Sequence, residues 1–317
     1  MRLEFLKYEI KPQIFKRFPL NWVEIFEREA PIVVEIGFGS GEFLENMARE
    51  MQDFNFVGFE MSLTSLWKAQ KRFFGSGLSN VKVILGDGRF CLRELFPPNS
   101  VRKVVTNFPC PWSKKKHEKR RIIVESFFQT LGNVLEFGGE FEIATDERWY
   151  AEEVVRKVRK LWYLEVSRFS LNPERKFRTR YEMKWLSEGR KIHAISVRKV
   201  GNFEVERLLE GEESMPHRLV KKAEADVNRL EGLKNRVFKE GKKLFVIKEI
   251  FRKSDGNDRV IKVIAKDGEI QQSYFVDILD KGDRYLVKLD ETTIPYRTPS
   301  VKFSVFRIAE EMMKKMG

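Results

Sequence analysis

The chain has 317 residues, 34 % of them charged, and its 60 Lys and Arg against 47 Asp and Glu leave a net charge of +13. That length suffices for a full α/β domain with a smaller second unit, and the cationic excess favours a polyanionic partner, RNA or DNA first. Two cysteines, Cys91 and Cys110, give no disulfide framework and fit a reducing cytosol. No secretory leader is expected, and no apolar run reaches the ~18 residues of a membrane span, so a cytoplasmic protein is expected.

In chain order, Leu20–Ala30 reads as a short amphipathic helix leading into a strand at Ile32–Ile36. Helix then alternates with strand. Glu42–Met51 is a helix, Asn55–Glu60 a strand, Leu63–Phe74 a helix, and Val81–Leu85 and Val101–Phe108 the next two strands. A long helix is expected over Arg121–Phe137, ended by Gly138-Gly139, then a strand at Glu140–Thr145 and a helix at Tyr150–Leu161. Strands at Tyr163–Arg168 and Lys191–Lys199 complete the set. The alternation predicts an α/β fold with a doubly wound, mostly parallel sheet whose ligands bind at the carboxyl ends of its strands.

Beyond Lys199 the pattern changes. Pro216–Lys239 reads as helical or irregular. Runs at Leu244–Phe251, Arg259–Ala265, Gln272–Leu279 and Tyr285–Leu289, parted by Asp255-Gly256, Asp267-Gly268 and Lys281-Gly282, suggest a small antiparallel β unit. A helix at Ala309–Met316 closes it. The expected organisation is an N-terminal segment (1–30), the sheet domain (31–200) and a β-rich extension (201–317). Residues 1–200 hold 36 cationic and 26 anionic residues, a balance of +10, against 24 and 21, or +3, in the remainder. The positive field therefore belongs mainly to the sheet domain.

Ile36 is followed by Gly37, Gly39 and Gly41, and Glu35 stands just before them. Glycines there let backbone approach a ligand closely. The preceding carboxylate would repel a diphosphate but welcome an ammonium or sulfonium. The pattern therefore points to S-adenosylmethionine before NAD or ATP. Glu60 ends the second sheet strand, where it can accept ribose hydroxyls, and Asp87 follows the third, where it can accept an adenine amino group. A dinucleotide site uses Gly-x-Gly-x-x-Gly; here Glu42 holds the position of its last glycine, yet spacing alone leaves NAD open.

After the fourth strand come Asn107-Phe108-Pro109-Cys110-Pro111-Trp112-Ser113, then a tract in which six of residues 114–121 are Lys or Arg. Prolines on both sides of Cys110 stiffen the loop. Trp112 offers a flat face and the basic tract suits phosphate neutralisation. Arg168, Arg175, Lys176, Arg178, Arg180 and Lys184 form a second basic stretch that could flank the pocket and hold nucleic-acid phosphates.

These residues together resemble the bacterial tRNA (guanine-N7-)-methyltransferase family of Rossmann-fold methyltransferases. The matching segments are Glu35–Gly41, Gly58-Phe59-Glu60, Asn107–Trp112, His117-x-Lys119-Arg120-Arg121, Ala144-Thr145-Asp146 and Thr179-Arg180-Tyr181-Glu182. The resemblance spans residues 30–200. It implies that Glu35, Gly37, Gly39, Gly41, Glu60, Asp87 and Asn107 bind S-adenosyl-L-methionine. It also implies that Trp112, Lys114, His117, Lys119, Arg120, Arg121, Asp146, Thr179, Arg180, Tyr181 and Glu182 meet the guanosine or its tRNA. The implied reaction is direct methyl transfer to N7 of the variable-loop guanosine, without a metal. A methyltransferase acting on another RNA or atom, or a non-catalytic tRNA-binding protein of the same fold, are the alternatives. Monomer and homodimer stay open.

One position departs from the family pattern, which places aspartate between the two prolines; here it is Cys110. Cys110 and Asp146 are the expected catalytic positions. A thiol accepts hydrogen bonds poorly, so the expectation is that Asp146 or the backbone supports the guanine.

Overall fold

The computed structural model describes residues 3–254 and 256–313. Its elements, in order, are β1 (Arg17–Phe18), α1 (Trp22–Phe26), β2 (Ile32–Ile36), α2 (Glu42–Glu50), β3 (Asn55–Glu60), α3 (Leu63–Gly75), β4 (Val81–Leu85) and α4 (Gly88–Leu95). β5 (Val101–Asn107), α5 (Glu125–Val134), β6 (Leu135–Thr145), α6 (Arg148–Val158), β7 (Leu164–Leu171), α7 (Arg180–Ser187) and β8 (His193–Lys199) come next. β9 (Gly211–Glu212), β10 (His217–Lys221), β11 (Val237–Glu240), β12 (Lys243–Arg252), β13 (Arg259–Asp267), β14 (Ile270–Asp280), β15 (Arg284–Leu289) and α8 (Pro299–Met313) follow. Residues up to Lys11 with Pro19–Arg207 form one compact unit, and Pro12–Phe18 with the residues from Leu208 onward form the other.

The first unit is a seven-stranded sheet of order β4-β3-β2-β5-β6-β8-β7, parallel except where β8 runs against β6 and β7. Strand order reverses beside β2, so the crevice lies outside the carboxyl ends of β2 and β5. The central strand Ile-Val-Val-Glu-Ile is buried nearly throughout, as a parallel strand covered on both faces must be. One face of the sheet packs Val33, Phe56, Val81 and Val83 against Phe43, Leu44 and Met47 of α2 and Leu66, Ala69 and Phe73 of α3. Each apolar side chain so buried contributes roughly 1.5–3 kcal/mol.

In the second unit a six-stranded antiparallel sheet of order β10-β15-β14-β13-β12-β11 is packed by Val301, Val305, Ile308, Ala309 and Met312 of α8. β1 pairs with β9, which draws Pro12–Phe18 into this unit. Among the described residues no helix is long and apolar enough to cross a membrane.

Several expected boundaries move. The helix expected over Arg121–Phe137 begins at Glu125 and stops at Val134, because Leu135 pairs with Val101 and starts β6; Gly138 (φ +77°) sits within that strand beside a register shift. Tertiary pairing overrides helix propensity here. α1 is only five residues long, closed by Glu27 at φ +55°. Two helices had no sequence assignment: α4, capped by Asp87, and α7, where Thr179 Oγ1 accepts from Glu182 N–H at 3.1 Å in a Thr-x-x-Glu cap. Within Pro216–Lys239 lie the edge strands β10 and β11 rather than helical or irregular chain throughout. α8 starts at Pro299, ten residues before the expected Ala309. The end of that expected helix, Lys314–Met316, and Asp255 of one expected turn lie outside the described residues.

Candidate functional site

The crevice begins where β2 meets its glycine loop. Gly37 and Gly39 adopt φ of +78° and +56°, with open space where a side chain would stand. Gly41 (φ +80°) backs onto α3, where an added Cβ would lie 2.7 Å from that of Ala69. The loop is thus open towards the crevice and closed behind. Glu60 secures it: Oε2 accepts from Gly39 N–H at 2.9 Å, while Oε1 accepts from the Met61 and Ser62 amides at 2.8 and 3.0 Å.

Glu35, only 1 % exposed, points from β2 towards β5. Its Oε1 accepts from Asn107 Nδ2 at 3.2 Å, and among the described residues its buried Oε2 has no hydrogen-bond partner. Burial pushes its pKa up to about 8, against the lowering effect of the Asn107 hydrogen bond and the Arg175 charge; Glu60 adds to the rise. A buried carboxylate with a vacant acceptor is costly unless a donor or cation meets it. S-adenosylmethionine, with its ammonium and sulfonium, has the chemistry this acceptor and the open glycine cradle require. The residues present fit that group.

Asp87 is more occupied than its sequence position suggests. Its carboxylate caps α4 through Arg89 N–H at 2.9 Å and pairs with the Arg89 guanidinium at 2.8 Å. Arg89 in turn donates to the carbonyls of Lys119 and Arg121. The third acidic position is thereby tied to the basic tract.

The loop after β5 is held in a strained shape. Phe108 and Trp112 both have positive φ, +52° and +45°, on either side of Pro109-Cys110-Pro111. Non-glycine residues there cost of order 1–3 kcal/mol each, a cost found mostly at functional sites. Phe108 packs edge-on against Trp185 of α7 with centroids 4.7 Å apart. Cys110 is exposed at the apex.

Beyond the loop, residues 115–120 form a 3₁₀ turn with no buried side chain, and Lys114, Lys115, Lys116, Lys119 and Arg120 all face solvent. Trp112 stands between His117, at 5.5 Å, and the Arg120 guanidinium, at 5.1 Å. Arg121 departs from its expected place on this rim. It is buried, pairs with Glu153 at 2.9 Å and donates to the Pro111 and Trp112 carbonyls, so it shapes the loop and offers no face to a phosphate.

Asp146, just after β6, is paired with Arg190 at 3.1 Å, and Arg190 lies over the ring of Trp185. Tyr181 is exposed on α7. Arg180 is ion-paired with Glu42 at the start of α2. Glu182 is buried and bound to Arg175 at 2.8 Å; Thr179 serves as the helix cap. The second basic stretch is therefore largely paired internally: Arg175 with Glu142 and Glu182, Lys176 with Glu50, Lys184 with Glu188. Its expected role as a phosphate-gripping flank does not extend to Arg175, whose guanidinium is inside the fold. Sequence reading missed Arg89, Trp185 and Arg190; the positive-φ pair that marks the loop had no sequence signal.

A family model described as "Putative methyltransferase" matches residues 29–195. The chain is similar to a tRNA (guanine-N(7)-)-methyltransferase of Thermotoga maritima, with 50 % identity over 307 residues covering 96 % of this chain and 97 % of that protein. Proteins of the same description from Coprothermobacter proteolyticus and Aquifex aeolicus are 32 % and 30 % identical, covering 96 % and 87 % of this chain and 93 % and 92 % of theirs.

Proposed function

The chain belongs to the tRNA (guanine-N7-)-methyltransferase family, and from that premise we propose that it methylates N7 of the variable-loop guanosine of tRNA, with S-adenosylmethionine as donor, in the cytoplasm. The observation that carries the reading is the buried, half-satisfied Glu35 at the switch point of the sheet, beside a glycine cradle and near an exposed basic rim.

Glu35, Glu60, Asp87 and Asn107, with the backbone of Gly37 and Gly39, would hold the donor. When bound, S-adenosylmethionine supplies an electrophilic methyl group on a sulfonium. Guanine N7 has a free lone pair, so the protein needs no general base for the attack. Its residues contribute alignment and charge. Trp112 supplies a stacking face, and Lys114, Lys115, Lys116, Lys119 and Arg120 bind backbone phosphates. Methylation leaves the base cationic. Asp146 accepts from its N1–H and amino group, and its charge gains value as positive charge develops. In the free protein Arg190 holds Asp146 in place by an ion pair that the guanine edge replaces.

Incubation with unmodified tRNA and labelled donor, followed by nucleoside mass spectrometry, tests this: 7-methylguanosine at the variable loop is the expected product. Label in another nucleoside, or none at all, refutes it.

A further inference from the structure

The segment between β7 and α7 carries a buried cation that none of the roles above uses. Arg175 has a side chain only 7 % exposed, and its guanidinium lies 5.3 Å from the ring of Phe43 on α2. Nη2 donates to Asn107 Oδ1 at 2.7 Å and to Glu142 Oε1 at 2.9 Å; Nη1 donates to Glu182 Oε2 at 2.8 Å. One side chain thus joins the end of β5, the middle of β6 and the first turn of α7.

A guanidinium can only donate, so it fixes which way the Asn107 amide faces. Oδ1 must turn to Arg175, and Nδ2 must then turn to Glu35. That choice leaves Glu35 Oε2 as the free acceptor of the crevice. At its other end Arg175 holds the buried carboxylate of Glu182, which also meets Arg178, at 3.8 Å, and the backbone N–H of Thr179. The Thr179–Glu182 turn and the donor carboxylate are therefore two ends of one hydrogen-bonded chain.

We infer that Arg175 is a positioning residue that couples the first turn of α7, which carries the exposed Tyr181, to the donor carboxylate Glu35, through Asn107. This rests on the reading of the crevice as the donor site. Displacement of α7 by a bound guanosine reorients Arg175, and with it the acceptor that Glu35 presents. Arg175 also acts on Glu35 by charge. Of the groups facing Glu35, burial and Glu60 favour the protonated form, while Asn107 and Arg175 favour the carboxylate. Lys103 is neutralised by Glu142.

The test is calorimetric binding of S-adenosylhomocysteine to the full chain between pH 6 and 9, with and without unmodified tRNA. Wild-type affinity should rise with pH through a midpoint near 8. Arg175→Met should weaken binding about tenfold at pH 7, the size expected for loss of a charge-assisted bond, and move the midpoint upward. Arg175→Lys keeps the charge without the planar fork, so the midpoint should return towards wild type while affinity stays reduced. Glu182→Gln should diminish the effect of tRNA on S-adenosylhomocysteine affinity. An Arg175→Met protein that melts earlier yet keeps wild-type affinity and midpoint overturns the inference. Should that variant not fold, an Arg175→Lys protein of unchanged affinity and a Glu182→Gln protein with unchanged tRNA response overturn it equally. Absence of any heat with wild-type protein sinks the donor-site reading itself, and this inference with it.

Discussion

The donor edge and the acceptor rim of the crevice are built from opposite materials. At the donor edge the functional groups are carboxylates fixed by backbone: Glu60 holds three main-chain amides, and Glu35 is enclosed between β2 and β5. At the rim they are solvent-facing cations on a 3₁₀ turn, with one indole among them. A small, invariant cationic cosubstrate needs a rigid site arranged before it arrives. A nucleic-acid backbone needs charge more than geometry, and on the proposed reading the solvent-facing lysines of the rim would provide it. The same contrast tells which residues should show their effects in kcat or donor affinity and which in salt dependence.

The largest effect is expected at the residue proposed to face the guanine edge. Asp146→Ala should lower single-turnover methylation by roughly 10²–10³, the scale seen when a group aimed at developing charge is removed, with tRNA binding nearly intact. An unchanged rate would mean that charge on the guanine edge is stabilised elsewhere.

Next comes the rim. Lys114→Ala, Lys115→Ala and Lys116→Ala combined should weaken tRNA binding at low salt and reduce the slope of log K against log salt by about 2–3, close to one per lost phosphate contact. The Kd for S-adenosylhomocysteine should not move. Equal slopes for variant and wild type would remove this tract from the RNA interface and leave the rim without its proposed function.

The two regions also differ in how plainly the sequence announces them. Glu35, the three glycines and Glu60 are legible because strand ends in a doubly wound sheet converge on one crevice, so chain order alone locates them. The exposed Lys114–Arg120 tract is legible as composition. What escaped is pairing: Arg121 and Arg175 look like their neighbours in sequence, yet each is buried against a carboxylate far along the chain, Glu153 and Glu142. Nothing local separates a lysine or arginine that meets solvent from one that closes an ion pair. The same limit hid the true start of β6 at Leu135, which only its partner Val101 decides. The Thr179-x-x-Glu182 cap, by contrast, is a legible helix start, set among the cations Arg175, Lys176, Arg178, Arg180 and Lys184.

Glu35 allows the donor edge to be probed without RNA. Burial raises its pKa from the ordinary 4.5 to about 8. The native state therefore holds this proton more tightly than the unfolded chain. Stability from this group is present in full below about pH 4.5 and is lost as pH rises towards 8. Without ligand, the melting temperature of wild type should fall relative to Glu35→Gln between pH 5 and 8, and S-adenosylmethionine should reverse the difference at the upper end. Parallel melting curves across that range would show that Glu35 does not titrate there.

The smallest effect is expected at Cys110, which stands where the family pattern has aspartate. Cys110 stands exposed at the apex of a loop whose shape is set by others: Pro109 and Pro111 restrict it, Arg121 holds the carbonyls of Pro111 and Trp112, and Trp185 packs on Phe108. A thiol adds little as an acceptor. Cys110→Ala should therefore leave single-turnover methylation within about twofold of wild type, as exposed substitutions away from buried networks generally do for stability. Cys110→Asp is the sharper arm, because it restores a carboxylate at the apex and would add acceptor capacity beside the rim. If Cys110→Ala abolished turnover while Asp146→Ala did not, the thiol itself would be the group that supports the charged guanine, and the division between a rigid donor edge and an adaptable rim would have to be redrawn with Cys110 on the rigid side.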